Sequence, residues 1–365
     1  MPFTSKYMER AVTLAKKHLP SPNPRVGAVI VKNGRIIGEG AHEKPGAPHA
    51  EINALKNATD DVRGADLYVT LEPCVHVGRT GPCVKAIEEA GIKKVYVGMA
   101  DPDNRVNGQG IRYLENVGIK VVTGVDELEC RRLLEGYITH RSQGRPFITL
   151  KAAITLDGYL ATTSHDSKWI SSPQSRKIAH QLRANSDAIL VGINTIEKDD
   201  PLLTVRDAEG ISPIRIVLDS NLRISPNTKI IKSASETPVF LAHSHAPKGQ
   251  LALFDGKKGI TLIDTPNDSS ERIDIHHLMQ ELAQKGILSL LVEGGSAVHS
   301  SFLKAKLVDQ IILFIAPKIL GKGIPFTTYP AVSTIRDSLT LSVEEITQVA
   351  GDIYYRARLD FARLR

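Results

Sequence analysis

An α/β protein of two domains is what this sequence predicts, and three observations predict it. The chain has 365 residues, against roughly 100–200 for an average domain. From residue 66 onward short apolar runs alternate with helical patterns, as in a largely parallel sheet covered by helices. The segment "SQGRP" (142–146) interrupts that alternation, and a second series begins after it. The boundary is therefore placed at residue 144, giving domains 1–144 and 145–365.

The elements follow in order. Met8, Ala11, Val12 and Ala15 recur at helical spacing, so 4–18 reads as a helix, stopped by the prolines of "SPNP" (21–24). "VGAVIVK" and "RIIGEG" flank Asn33-Gly34, the strongest short hairpin signal. A helix over 49–58, a strand over 66–71 and a helix after Cys83 come next. Strand 93–99, helix 110–118, a strand from 120 and a helix over 126–142 complete the first domain. The second opens with one long strand, "FITLKAAITLDGYLA", then helix 173–184 and strands 187–195, 214–219, 237–243 and 260–264. Helix 275–286, strand 288–295, helix 296–306 and strands 309–320 and 352–361 end it. There is no internal repeat and no low-complexity tract.

Composition excludes several classes of function. Apolar residues make up 42% and charged residues 24%, ordinary for a globular chain and unlike a disordered one. A net charge of +6 suits phosphorylated anions as well as a plain solvated surface. Aromatics are only 5%, and no basic run is interleaved with them, so a nucleic-acid stacking platform is not expected. No stretch approaches the ~20 apolar residues of a membrane span, and the N-terminus lacks the apolar run of an export signal. Three cysteines, Cys74, Cys83 and Cys130, argue for a reducing cytoplasm over a disulfide scaffold.

The chemistry-bearing segments are "GAPHAEINAL" (46–55) and "TLEPCVHVGRTGPC" (70–83). His49 with Cys74 and Cys83 offers one imidazole and two thiolates, a donor set that favours zinc. Three protein ligands leave one tetrahedral position for water, as in a catalytic zinc. Cys130, His42 and His76 are the other contenders for a ligand position. Glu51 lies roughly 200° around the helix from His49, so it is free to face that water. The metal lowers the water's pKa towards ~7, and a carboxylate beside it moves the proton to a leaving group. Attack on an amidine-like carbon with loss of ammonia is hydrolytic deamination. Alone, the histidine caps a helix and the cysteines are small buried hydrophobes. Together, with proline before each cysteine, they form the H-x-E and P-C signature of zinc deaminases, its second half stretched to eight intervening residues.

"NPRVGAVIV" (23–31), "GAPHAE" and "EPCVHVGRTGPC" carry a closer likeness, and so do "LKAAITLDGYLA", "VGINTIEKDDPLLTVR", "VLDSNLRI" and "LVEGGSAVHSSFL". The chain resembles, over essentially its whole length, the bifunctional riboflavin-biosynthesis family. Members are a diaminohydroxyphosphoribosylaminopyrimidine deaminase fused to a 5-amino-6-(5-phosphoribosylamino)uracil reductase. The resemblance implies a cytidine-deaminase-like three-layer αβα domain followed by a dihydrofolate-reductase-like domain. It implies zinc on His49, Cys74 and Cys83, with Glu51 as proton shuttle, followed by NADPH-dependent reduction of the ribosyl side chain to ribityl. It also points to Asn23, His42, His76 and Arg79 as pyrimidine contacts, with Arg79 near the phosphate; an Asx-turn is the competing role for Asn23. A homo-oligomer is expected.

In the second half, two glycines after a strand and before a helix let backbone N–H groups approach a diphosphate. The spacing is not G-x-G-x-x-G, which disfavours a Rossmann domain. By the resemblance, Gly295, Ser296, Ala297, Val298, His299, Ser300 and Ser301 line the NADPH site. Ala153, Trp169, Thr195, Asp199 and Ser220 join them; Trp169, the lone tryptophan, competes with a core role. Substrate contacts implied are Ser167, Arg183, Leu203, Arg206 and Glu293. Arg183 and Arg206 suit a phosphate, or else a surface ion pair. Glu293 ends an apolar strand, where a carboxylate is unfavourable without a partner. Lys151 is placed to polarise the ribose aldehyde or imine. One departure is Ile154-Thr155 ahead of Leu-Asp-Gly, where the family often has serine.

Two other readings compete. One is a nucleobase or tRNA deaminase with a C-terminal assembly module, disfavoured by the second set of motifs. The other is a zinc-stapled nucleic-acid module, which requires four protein ligands and a steep salt dependence.

Overall fold

The computed structural model describes residues 5–75, 81–103 and 106–359. The chain divides into two compact units, Met1–Arg145 and Pro146–Arg365.

In the first unit, α1 (Ser5–Ala15), β1 (Gly27–Lys32), β2 (Arg35–Ala41), α2 (Ala50–Lys56), β3 (Asp66–Leu71) and α3 (Cys83–Glu89) come first. They are followed by β4 (Lys94–Met99), α4 (Gln109–Asn116), β5 (Lys120–Thr123), α5 (Glu127–Leu133) and α6 (Glu135–Gln143). The sheet order is β2-β1-β3-β4-β5. The β1–β2 and β1–β3 pairs are antiparallel, whereas β3, β4 and β5 run parallel. Asn33 and Gly34 both have positive φ, 52° and 75°, as the two-residue hairpin turn requires. Helices cover both faces, making three layers. A Cβ at Gly27 would stand 2.0 Å from the Ala11 carbonyl of α1, and one at Gly40 would stand 2.3 Å from the Ala50 carbonyl of α2. Only glycine lets helices seat this closely on opposite faces of the hairpin.

The helix expected over 126–142 is two helices. Leu134, at φ −107° and ψ 10°, breaks it between α5 and α6, and its buried side chain anchors the joint.

The second unit begins β6 (Phe147–Thr155), β7 (Tyr159–Thr162), α7 (Pro173–Ala184), β8 (Ala188–Gly192), α8 (Ile193–Asp199) and β9 (Ile214–Leu218). Next are α9 (Lys229–Lys232), β10 (Val239–His243), α10 (Lys248–Leu251), β11 (Ile260–Asp264), α11 (Ile275–Gln284) and β12 (Ser289–Val292). Last come α12 (Ser296–Lys304), β13 (Gln310–Ala316), β14 (Gly323–Pro325), β15 (Leu341–Val349) and β16 (Asp352–Leu359). Nine strands form one sheet in the order β11-β10-β9-β8-β12-β6-β13-β16-β15. It is parallel as far as β13, then antiparallel at β16 and β15. Neighbouring residues of β8 feed separate cores. Leu190 packs with Leu278, Leu282 and Phe302, whereas Ile189 and Val191 pack with Ile196, Leu241 and Phe254. Such double coverage explains the uninterrupted apolar run of this strand.

Two expectations fail here, and one strand was not foreseen, each for a local reason. The long strand over 147–161 turns at Gly158, φ 86°, so β7 leaves the main sheet and pairs with β14. Strand 187–195 stops at Gly192, and residues 193–199 are helical. Strand β15 carries Glu344-Glu345 and shifts register between Val343 and Glu345, which hides its alternation.

Candidate active sites

His49, Cys74 and Cys83 converge in the first unit. Pro48 leads His49 into the N-cap of α2, and Pro82 caps α3, which Cys83 opens. Cys74 follows the end of β3 on a loop. The His49 Nδ1 atom lies 3.2 Å from Cys83 Sγ and 3.5 Å from Cys74 Sγ. All three ligand atoms lie within 4.8 Å of one another. Zinc bonded tetrahedrally to one such nitrogen and one such sulfur would set them roughly 3.5 Å apart, so the donor set fits zinc. The Cys83 backbone N–H donates to Cys74 Sγ at 3.4 Å. The hydrogen bond from the Cys83 thiol pulls Cys74 down to about 4, and that bond together with burial pushes Cys83 up. A thiolate beside an imidazole is what a soft divalent cation needs.

Glu51 stands one residue inside α2, 3% exposed. Burial, and then the Cys74 sulfur, pushes its carboxyl up to about 7. His42 is buried too, with its ring edge-on to His49 at 5.2 Å. Its Nδ1 lies 3.1 Å from the Pro48 carbonyl and its Nε2 lies 2.9 Å from Asn23 Nδ2. The carbonyl demands a proton on Nδ1, which leaves Nε2 to accept from Asn23 and fixes the Asn23 amide. Both ring nitrogens of His42 are thus engaged away from the cluster. Cys130 also stands apart: it is buried against Gly98, and burial pushes its thiol up to about 12. His76 and Arg79 lie outside the described residues.

The second unit holds a cavity of about 760 Å³ at the C-terminal ends of β8, β9 and β12. Thr195, Asp199, Ser220, Gly295, Ser296, Ala297, Val298 and Ser301 line it, together with Ser167 and Glu293. Gly295 is the N-cap of α12 with no side-chain cap. The buried Ser296 Oγ has no partner among the described residues. Open N–H groups and an orphan hydroxyl at a helix start match the polar end of a phosphorylated cofactor.

Glu293 meets Arg183 through two hydrogen bonds of 2.9 and 2.8 Å, and Lys151 Nζ lies 3.5 Å away. Burial would raise its pKa, but Arg183 and Lys151 outweigh burial and hold the carboxyl at about 2. The partner that Glu293 requires is therefore Arg183. The guanidinium fork meets Glu293, and Nη1 also reaches the Thr204 carbonyl at 3.3 Å. Arg206 is exposed, and its backbone N–H donates to His180 Nδ1 at 3.3 Å.

Other expected contacts sit off the cavity wall. Leu203 has φ 57° and its side chain in the core, which leaves its backbone for contact. Ala153 lies in β6 against the Phe314 cluster. Trp169 is 68% exposed with the Arg176 guanidinium 4.3 Å over its ring, so it is neither a core residue nor part of the wall. His299 and Ser300 turn their side chains towards Phe326 and Thr328. Thr155, at the departure from the family pattern, bonds Asp157 at 2.6 Å. Sequence reasoning missed Lys198, Arg223 and Arg272, cationic residues of the wall. The first two lie within motifs already quoted, "VGINTIEKDDPLLTVR" and "VLDSNLRI"; Arg272 had no signal.

Comparison with known proteins follows the same division. Residues 146–355 match the family model described as RibD C-terminal domain. Residues 1–99 match the cytidine and deoxycytidylate deaminase zinc-binding region. Riboflavin biosynthesis protein RibD of Aquifex aeolicus is 42% identical over 350 residues, 95% of this chain and 96% of its own. That of Escherichia coli is 38% identical over 363 residues, 95% of this chain and 97% of its own. A solved Thermotoga maritima structure, titled a diaminohydroxyphosphoribosylaminopyrimidine deaminase/5-amino-6-(5-phosphoribosylamino)uracil reductase, superposes with a TM-score of 0.85 at 37% identity. It covers 98% of this chain and 99% of that one. Acinetobacter baumannii RibD gives 0.85 at 34% identity, with the same coverage.

Proposed function

The chain belongs to the RibD family of bifunctional deaminase/reductases of riboflavin biosynthesis, and from that premise we propose how its residues divide the work. The substrate is diaminohydroxyphosphoribosylaminopyrimidine, the compound named for the Thermotoga relative. Deamination replaces an exocyclic amino group with oxygen from water and releases ammonia. Reduction then converts the ribosyl chain to ribityl, with NADPH as electron donor.

The observation that carries the deaminase assignment is the His49–Cys74–Cys83 cluster with Glu51 buried beside it. These three residues hold the zinc, which when bound supplies an acidified water. Glu51, buried beside these ligands, would take up a proton from the attacking water and hand it to the departing amine. The Asn23 amide, held in one orientation by His42, meets the edge of the pyrimidine. His76 and Arg79 are assigned to the same substrate on the resemblance alone.

In the reductase half, Gly295 to Ser301, with Thr195, Asp199 and Ser220, would hold NADPH, and Ala153 and Trp169 are assigned to it on the resemblance alone. Ser167, Leu203 and Arg206 receive the substrate, with Arg206 taking the phosphate. Lys151 holds a proton at the reacting carbonyl or imine, and Glu293 keeps Lys151 in place. Arg183 supports Glu293, and on the resemblance both are assigned to the substrate as well. The domain boundary is placed at residue 144. No described helix is long and apolar enough to cross a membrane; a cytoplasmic homo-oligomer acting on small molecules, without nucleic acid, completes the reading.

The test is incubation with the pyrimidine and NADPH, following ammonia and NADPH separately. Glu51→Gln should lower ammonia release by about 10²–10⁴-fold while NADPH oxidation on pre-deaminated substrate continues. Ammonia release at the wild-type rate would remove the assignment of Glu51.

A further inference from the structure

We infer that Glu72 is the positioning residue of the deaminase centre, its carboxylate locking the strand end that presents Cys74. The inference rests on the reading of Cys74 as a zinc ligand.

Two of the three ligand-bearing residues are fixed by helix starts: His49 caps α2 and Cys83 opens α3. Cys74 has no helix of its own. It lies three positions past the end of β3, directly after Glu72 and Pro73. What fixes it must therefore come from the strand end.

Glu72 is 4% exposed, yet no lysine or arginine partner of its carboxylate is found among the described residues. Four backbone N–H groups surround it instead. Oε2 accepts from Asp101 at 3.0 Å and Gly108 at 2.9 Å; Oε1 accepts from Gly110 at 2.8 Å and Ile111 at 3.2 Å. The Glu72 backbone N–H also donates to Met99 at 3.0 Å. One side chain thus ties the end of β3 to the segment leaving β4 and to the first turn of α4.

A second feature points to the same joint. A Cβ at Gly110 would stand 2.1 Å from the Pro73 carbonyl. Glycine at 110 lets the α4 backbone touch the peptide unit directly before Cys74. On the other side, the Val84 N–H donates to the Cys74 carbonyl at 3.3 Å. Cys74 is clamped between α4, through Glu72 and Gly110, and α3. Four N–H bonds to one carboxylate specify a single side-chain position, whereas a glutamine amide would turn a donor against those N–H groups.

The test uses the full chain loaded with Co²⁺, whose thiolate charge-transfer absorption scales with the number of bound sulfurs. In Glu72→Gln this absorption is expected to fall to roughly half, from two thiolates to one, with ammonia release down about a hundredfold, as for a small misplacement. NADPH oxidation on pre-deaminated substrate reports the other domain and should change less than about twofold. A shorter carboxylate, Glu72→Asp, should restore part of the absorption, which a general loss of stability would not. Gly110→Ala tests the joint from its other side and stands in if Glu72→Gln is insoluble. Full absorption with wild-type ammonia release in Glu72→Gln, or in Gly110→Ala, would overturn the inference. Cys74→Ser separates the two claims: full absorption in that variant would instead defeat the ligand assignment on which the inference rests.

Discussion

Glu293 and Arg183, 110 residues apart in the chain, close on each other as a two-pronged ion pair at the wall of the reductase cavity, which Glu293 lines. Their side chains are only 9% and 14% exposed. Lys151 joins from β6, so the end of β12, helix α7 and the strand between β12 and β13 meet at one carboxylate. The pair orders the site; on general grounds a buried ion pair is weak evidence for net stability.

Breaking it from one side is a different matter. Arg183→Met leaves Glu293 buried with Lys151 as its remaining cation, and its carboxyl pKa rises from the wild-type value. The expected loss is about 3–5 kcal/mol by urea denaturation at neutral pH. The pH dependence has a definite sign. The carboxyl of Glu293 is held at about 2 in the fold, against about 4.3 when unfolded. Its contribution is therefore complete above the unfolded value and is lost as pH falls towards 2. The variant, in which Lys151 alone opposes burial, should show a smaller acid-side loss. A denaturation curve like that of wild type at pH 7 would show that the pair does not hold the site.

Removal of the metal should divide the two activities. Dialysis against a strong chelator is expected to abolish ammonia release and spare NADPH oxidation. It should also make Cys74, half-buried and held low, reactive to a thiol reagent in the folded protein, while Cys83 and Cys130, both wholly buried with raised thiols, react only after unfolding. Three reactive thiols in the native apoprotein would contradict the placement of Cys130.

Two adjacent glycines make a sharper test of the cofactor loop. A Cβ at Gly294 would stand 2.5 Å from the Val298 Cβ, whereas a Cβ at Gly295 would meet nothing within 4 Å. Gly294→Ala should lower both Tm and NADPH affinity, because α12 must shift. Gly295→Ala should leave Tm unchanged yet weaken NADPH binding by about tenfold, because its methyl occupies space where a phosphate would approach. Fluorescence titration with NADPH and a thermal melt read the two effects separately. Equal affinities for Gly295→Ala and wild type would remove this loop from the cofactor site.

The deaminase centre was legible because metal chemistry restricts residue type: few reasons other than a metal collect a histidine and two proline-led cysteines. The cavity loop was legible through Gly294-Gly295 following an apolar strand. Pairings were not. Nothing in the local sequence joins Arg183 to Glu293, or Glu72 to the N–H groups of Gly108 and Gly110, because such bonds arise only when distant elements pack. Helix α8 was misread because "DAILVGINT" continues an apolar run past Gly192, where the backbone turns into the cavity wall. Strand β15 was missed because much of it faces solvent and its glutamates pair with Arg356 and Arg358 on the next strand.

The last prediction concerns His180, on α7 one turn before Arg183. Its Nδ1 accepts the backbone N–H of Arg206 at 3.3 Å, which leaves the proton on Nε2, 3.6 Å from Asp207. Burial, followed by the charges of Arg183 and Arg206, lowers its pKa below the ordinary histidine value. The ring therefore stays neutral, and the bond intact, from the unfolded pKa upward. As pH falls through the depressed value, a proton arrives on Nδ1, the acceptor becomes a donor, and the Arg206 N–H is left facing another N–H. If Arg206 holds the substrate phosphate, the KM of the reductase for its phosphorylated substrate should rise as the solution is made acidic, while kcat changes little. His180→Gln keeps a neutral acceptor without a titrating ring, so its KM should lose this acid-side rise. A rise of equal size in wild type and His180→Gln would assign the pH dependence to another group, the phosphate itself being the first candidate.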